Sequence, residues 1–136
     1  MENYGLIICR SEYLLIEEGA NQDLQRRVAY VLSHEIAHQW FGNLVTNRDW
    51  SDVYIQEGLA TYYGYQCVED GYPELQAFDS FMINDVHAYY AYDVYNFSVP
   101  IKPNGLSGIE AVNSFSAISY TKVFFFYSYS FMVRVL

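Results

Sequence analysis

A chain of 136 residues is long enough to enclose one hydrophobic core, so we expect a single domain or part of one. It contains 16 Asp and Glu residues against 7 Lys and Arg residues, which gives a formal net charge of −9. This acidic balance argues against nucleic acid and against an anionic membrane surface as partners. The two cysteines, Cys9 and Cys67, form no metal-binding motif, and their spacing does not decide whether they pair.

The pattern of apolar residues and chain-breaking residues predicts a mainly helical α+β fold. In chain order we predict strands at residues 4–10 and 13–16, helices at 22–43, 50–69 and 74–92, a loop at 96–107, and a further helix from about 108 that ends before Tyr120. Gly42, Asn43 and the polar residues 46–49 would separate the first two long helices. Either Asp49 or Ser51 would cap the second of them.

Two histidines lie four residues apart in the first predicted long helix, at His34 and His38. Positions i and i+4 share one face of an α-helix, so both imidazoles can point at one metal ion. Glu35 lies about 100° around the helix from His34, where it can act on a water molecule beside the metal without being a ligand. The H-E-x-x-H pattern therefore predicts two zinc ligands and a general base.

A third ligand is expected from Glu57, which follows His38 by nineteen residues. This separation allows the first helix to end and a second helix to return a carboxylate to the two imidazoles. Two histidines and one glutamate, with the fourth position left to water, form a known type of catalytic zinc site. The competing interpretation is a chance H-E-x-x-H sequence with Glu57 on a solvated helix face.

Four segments resemble the gluzincin aminopeptidases, the family of aminopeptidase N (membrane alanyl aminopeptidase). The segment HEIAHQWFGNLVT at residues 34–46 is similar to the active-site helix of that family, and IQEGLATY at 55–62 is similar to its L-N-E-G-F-A-S-Y segment, with Gln56 in place of Asn. MENYGLI at residues 1–7 resembles the end of the G-A-M-E-N substrate-binding segment. FSAISYTK at 115–122 resembles the F-x-x-I-S-Y-x-K segment.

The resemblance implies a thermolysin-like catalytic domain that uses one Zn²⁺ to release N-terminal residues from peptides by attack of a zinc-bound water. It assigns His34, His38 and Glu57 to the metal and Glu35 to general base catalysis. It assigns Tyr120 to stabilisation of the oxyanion, a role that suits a phenol donor. Glu2 would bind the free α-ammonium group of the substrate by a charge-assisted hydrogen bond. Without the resemblance, Tyr120 would be read as a core residue and Glu2 as a solvated acid.

We therefore predict a truncated catalytic domain at residues 1–122 and a divergent apolar tail at 123–136. The tail has 14 residues, fewer than the roughly 20 that a membrane-spanning helix needs. We expect neither a transmembrane helix nor a signal peptide in this chain, and the compartment stays open between membrane-anchored and cytosolic. Two alternatives remain, a zinc-binding fragment with weak or no catalysis and a related zinc hydrolase of the leukotriene A epoxide hydrolase branch.

Overall fold

The computed structural model of the protein describes residues 1–93, 100–102, 120–124 and 127. Its largest elements are two helices, α1 (Gln22–Ala37) and α2 (Val53–Gly71), which pack against each other. They are followed by α3 (Ala77–Ser80), a π-helical segment (Phe81–Asp85) and α4 (Val86–Tyr92). Short 3₁₀ turns lie at Ser11–Tyr13, Trp50–Asp52 and Pro73–Leu75, and residues 120–124 are helical. The prediction of a mainly helical structure is confirmed.

Helix α1 begins where it was predicted and ends six residues earlier than predicted. The side chain of Asn21 caps its first turn by accepting a hydrogen bond of 2.9 Å from the Leu24 N–H. After Ala37 the chain enters a compact turn, residues 38–45, in which Asn43 N–H donates to the His38 carbonyl at 3.1 Å. Gly42 reverses the chain there with a φ of +117°, a value that favours glycine. The helical spacing of apolar residues continues through this turn, so the sequence pattern does not show where α1 ends.

Helix α2 is preceded by a 3₁₀ turn that Asp49 caps. The Asp49 carboxylate accepts a hydrogen bond of 2.9 Å from the Ser51 N–H and a second one from the Ser51 hydroxyl. Of the two predicted caps, Asp49 is the one that the structure uses. The third predicted helix is interrupted at Gln76, whose φ of +50° separates the 3₁₀ turn from α3.

The strands predicted at residues 4–10 and 13–16 do not form. Residues 4–10 are turn and extended chain, and Ser11–Tyr13 is a 3₁₀ turn. Across the described residues there is no β-strand, and one isolated bridge joins Phe41 to Val45. A strand needs a neighbouring chain for its backbone hydrogen bonds, and no described segment lies alongside residues 4–16 as a partner strand. The strand component of the α+β prediction is therefore not found in this part of the chain.

The core lies between α2, the α3–α4 run and the helical residues 120–124. Its buried members are Tyr62, Tyr65, Val68, Leu75, Ala77, Phe81, Val86 and Phe124. Phe124 packs its ring 3.8 Å from that of Phe81, centroid to centroid. Val123 and Phe124, the first two residues of the predicted tail, are thus buried and helical, although the sequence there has no helical period. The domain boundary at residue 122 stays a prediction, as most of the tail lies outside the described residues.

The remaining predictions about architecture concern residues 94–99 and 103–119, which contain most of the expected loop and the further helix and lie outside the described part. Tyr120 was expected to follow that helix, whereas it is itself helical.

Among the described helices none is both long enough and apolar enough to cross a membrane. Cys9 and Cys67 are both free thiols.

Candidate metal centre and catalytic cleft

His34 and His38 present their imidazole rings to one point at the end of α1. His34 lies in the last turn of the helix and His38 is its C-cap residue. Their Nε2 atoms are 3.1 Å apart, and both side chains are buried. The i, i+4 spacing therefore produces the shared face that the sequence predicted.

Helix α2 brings the Glu57 carboxylate to the same point. Its Oε2 atom lies 3.5 Å from His34 Nε2 and 3.3 Å from His38 Nε2. Glu57 is only 3% exposed, and a glutamate is rarely buried to that degree unless it is paired or binds a metal. The three predicted ligands thus lie together, on two different helices.

The three donor atoms have the spacing that a zinc ion requires. Ligand atoms around tetrahedral zinc, at bond lengths of about 2.0–2.2 Å, lie about 3.3–3.6 Å from one another. The observed separations of 3.3 and 3.5 Å lie within that range, and the third, 3.1 Å between the two Nε2 atoms, is slightly shorter. Two imidazole nitrogens and one carboxylate oxygen are also the donor set that zinc favours in hydrolases. The site fits a zinc ion in both geometry and chemistry.

Hydrogen bonds around the ligands fix their orientation. His38 Nδ1 lies 2.9 Å from the Phe41 carbonyl, so it carries the proton, and Nε2 keeps its lone pair for the metal. Gln56 Nε2 donates to Glu57 Oε1 at 3.3 Å, which leaves Oε2 facing the histidines. The Gln56 side-chain oxygen in turn accepts a hydrogen bond of 2.7 Å from Asn47. The sequence showed Gln56 only as a departure from the family pattern and gave no sign of this role.

The electrostatics of the cluster favour a bound cation. Burial alone would raise the pKa of Glu57, but the hydrogen bonds and charges of His34 and His38 outweigh it and lower the pKa to about 2. Burial has the largest single effect on the pKa of His38 and lowers it, but the hydrogen bond and charge of Glu57, together with the Phe41 carbonyl, make the net shift upward. The Glu57 carboxylate therefore stays ionised and favours a positive charge beside it.

Glu35 borders a cavity that opens beside His34. The cavity has a volume of about 520 Å³, and its wall includes Glu35, His34 and Tyr120. The Glu35 side chain is 15% exposed, and its Oε2 atom lies 3.1 Å from the ammonium group of Met1. A carboxylate that is neither a metal ligand nor fully solvated is thus placed at the edge of the metal site, as a general base would require.

Tyr120 lines the same cavity as Glu35, and the backbone of Glu2 lies near the turn that follows His38. The Tyr120 ring lies 6.0 Å from that of His34, centroid to centroid. Burial, followed by the charge of Glu57, raises the pKa of the Tyr120 phenol, which therefore stays protonated and able to donate. The Glu2 backbone carbonyl accepts hydrogen bonds from the side chains of Gln39 and Asn43, at 3.2 and 2.6 Å. The structure therefore brings five of the six predicted site side chains into one region, and it holds the backbone of the sixth residue, Glu2, against the turn that follows His38.

Comparison with known proteins identifies the family to which the chain belongs. A sequence model of the peptidase family M1 domain matches residues 1–132. The chain belongs to peptidase family M1. It is 41% identical over 127 residues to a membrane alanyl aminopeptidase of Heliothis virescens and 38% identical over 123 residues to endoplasmic reticulum aminopeptidase 2 of Homo sapiens. It is 34% identical over 122 residues to a leucyl aminopeptidase of Saccharolobus solfataricus.

These matches cover most of the chain and a small part of each M1 relative. Each of the three alignments includes 90% of this chain, but only 12%, 13% and 16% of the respective relatives. The chain therefore spans less than a fifth of the length of each of these relatives. Within that segment the M1 family membership agrees with the resemblance inferred from the four motif-like segments.

Proposed function

We propose that this chain carries the zinc site and the catalytic residues of a metallo-aminopeptidase, within a thermolysin-like catalytic domain. The observation that supports it most directly is the triangle of His34, His38 and Glu57 donor atoms, with Glu35 beside it. The M1 relatives, which are named as aminopeptidases, support the same reaction class. The substrate would be a peptide with a free N-terminus.

Each residue of the cleft has a defined task in this reaction. A zinc ion bound by the three ligands would polarise the scissile carbonyl and lower the pKa of a water molecule. Glu35 accepts the proton of the attacking water and passes it to the leaving amine. Tyr120 donates a hydrogen bond to the oxyanion that develops on the scissile carbonyl. Glu2 binds the α-ammonium group and so selects the first peptide bond.

The first test is the zinc content of the purified 136-residue chain, measured by elemental analysis. We expect one zinc per chain in the wild type and much less in Glu57→Ala, because the remaining two imidazoles form an incomplete site. Glu35→Gln should keep the metal, since Glu35 is not a ligand. Equal zinc content in wild type and Glu57→Ala would contradict the assigned metal site.

The second test separates an aminopeptidase from other zinc hydrolases. Matched peptides with a free and an N-acetylated first residue would be incubated with the zinc-loaded chain, and products followed by mass spectrometry. Release of the first residue from the free peptide alone, abolished in Glu35→Gln, is the expected result. Cleavage of both peptides at equal rates would overturn the aminopeptidase assignment, and zinc binding without any cleavage would favour a catalytically weak fragment.

A further inference from the structure

The first eight residues form a closed loop, here called the 1–8 loop. Met1 and Ile8 exchange two backbone hydrogen bonds, each 3.0 Å long. Between them, Leu6 N–H donates to the Asn3 carbonyl at 2.9 Å and closes a tight turn. Gly5 occupies the third position of this turn with a φ of +72°, as a type II turn requires. The loop therefore has a defined backbone shape without belonging to a sheet.

Two side chains that follow the metal ligand His38 hold the 1–8 loop in place. Gln39 accepts a hydrogen bond of 3.0 Å from the Gly5 N–H and donates one of 3.2 Å to the Glu2 carbonyl. Asn43 donates a second one, of 2.6 Å, to the same Glu2 carbonyl. Gln39 and Asn43 are both half-buried, so these bonds are partly shielded from competing water.

These contacts tie the backbone of Glu2 to the same turn that orients the metal ligands. Gln39 is adjacent to His38 in the chain, and the 38–45 turn is held by its own hydrogen bonds, including Leu44 N–H to the Gln39 carbonyl at 3.2 Å. The carbonyl of Phe41, in the same turn, orients the His38 imidazole. A shift of this turn would therefore move the metal ligand and the Glu2 backbone together.

We infer, on the basis of the proposed function, that Gln39 and Asn43 are positioning residues that set the distance between the Glu2 carboxylate and the metal centre. An aminopeptidase must hold the α-ammonium group at a fixed distance from the scissile carbonyl, which belongs to the same first residue of the peptide. A carboxylate on an untethered loop would bind the ammonium group in many positions, and most of them would misplace the peptide bond. The two amide side chains confine Glu2 and thereby determine how strongly a free N-terminus is preferred.

The test is to remove the amide donors while retaining side-chain size, with Gln39→Met and Asn43→Leu. Both would be made in a Glu35→Gln background, which prevents turnover, and peptide affinity would be measured by calorimetry on the zinc-loaded chain. We expect affinity for the free-amine peptide to fall about 5- to 10-fold in each variant, because one or two hydrogen bonds are lost. Affinity for the N-acetylated peptide should change little, so the preference for a free N-terminus declines.

Control variants separate positioning from a general effect on folding. Gln66→Met is the matched control, since Gln66 lies on α2 and its amide bonds to Asp70; it should leave the preference unchanged. Gln39→Glu keeps an acceptor for the Gly5 N–H and loses the donor to the Glu2 carbonyl, so it should lose part of the preference. Zinc stoichiometry and circular dichroism should match the wild type in all variants.

Three results would overturn the inference, and they differ from one another. A wild-type chain that binds zinc but does not distinguish the two peptides would overturn the proposed function and this inference with it. A wild-type preference that persists in Gln39→Met and Asn43→Leu would overturn the inference alone. Loss of zinc or of helical structure in both variants would assign Gln39 and Asn43 a purely structural role.

Discussion

Gly64 of α2 lies directly against the backbone of His34 in α1. A Cβ atom built at Gly64 would be 3.2 Å from both the Cα and the N of His34, closer than most real Cβ contacts. The two helices can therefore approach closely at the level of His34, the first proposed metal ligand. Glu57 precedes Gly64 by seven residues, or two helical turns, so this crossing also determines where the Glu57 carboxylate meets the imidazoles.

Gly64→Ala should lower both stability and zinc affinity. Alanine in an exposed helix interior is favoured over glycine by about 1 kcal/mol, so a net loss can only come from crowding. Because the neighbouring atoms belong to helix backbone, they cannot move aside as a flexible side chain would, and we expect a loss of about 1–3 kcal/mol in the free energy of unfolding. Urea denaturation measures the loss, and a chelator competition measures zinc affinity.

The matched control is Gly71→Ala, at the last residue of α2. No atom lies within 4 Å of a Cβ at Gly71, so this substitution should be neutral or slightly stabilising. Equal effects of the two substitutions would contradict the close helix crossing.

A second close contact joins α2 to the helical residues 120–124. A Cβ atom at Gly58 would overlap the side chain of Val123, including its own Cβ. Gly58→Ala should therefore displace residues 120–124, move Tyr120 from its position beside His34, and cost about 1–3 kcal/mol of stability. Near-ultraviolet circular dichroism and urea denaturation would detect both effects.

The compensating variant for Gly58→Ala is Val123→Gly, because it removes the three atoms that lie nearest to the new methyl group. Alone, Val123→Gly should be destabilising, since it deletes a buried side chain and adds a glycine to a helix. Combined with Gly58→Ala it should cost less than the sum of the two single changes. Strict additivity in this double-mutant cycle would show that the two residues do not touch.

The ligand set and the main helices could be predicted because their signals are local. The spacing of His34 and His38 defines a helix face, and Asp49 is a predicted capping residue that acts within a few positions. The association of Glu57 with the histidines required a second helix to return. Its position was inferred from the chain length available for the turn, and the structure places it there.

What could not be predicted depends on contacts between distant residues. The backbone of Glu2 reaches Gln39 and Asn43 across more than 35 positions, and nothing in the local sequence of either segment indicates that contact. The predicted strands failed for a related reason, since β-forming composition at residues 4–10 describes a preference and a strand also needs a partner. Gln56 can connect Glu57 to Asn47 by hydrogen bonds only when α2 lies beside the 38–45 turn.

Gln56→Leu should weaken zinc binding without removing a ligand. The Gln56 amide donates to Glu57 Oε1, so its loss frees the carboxylate to rotate and removes a connection to Asn47. In other metal sites, substitution of a side chain that hydrogen-bonds to a metal ligand lowers metal affinity by about 10- to 100-fold. Chelator competition would measure the change, with Gln66→Leu as the matched control on the same helix. An unchanged affinity in Gln56→Leu would remove Gln56 from the metal centre.

A half-buried carboxylate away from the metal centre makes the stability of the fold depend on pH. Asp85, at the end of the π-helical segment, accepts a hydrogen bond of 2.7 Å from the Tyr65 hydroxyl. Burial raises the pKa of Asp85 above its ordinary value of 3.8, although the Tyr65 hydrogen bond opposes the shift. The folded state therefore binds this proton more tightly than the unfolded state does.

Because the folded pKa of Asp85 is raised, its protonation stabilises the fold at low pH. That contribution is fully present below pH 3.8 and is lost as the pH rises through the folded pKa. Asp85→Asn cannot titrate and still offers an oxygen to Tyr65. The free energy of unfolding of wild type minus that of Asp85→Asn should consequently decrease from pH 4 to pH 8. Tyr65→Phe, which removes the hydrogen bond that restrains the shift, should make the pH dependence steeper. Urea denaturation across this range provides the measurement, and a difference that rises with pH would show that Asp85 is stabilised in its ionised form.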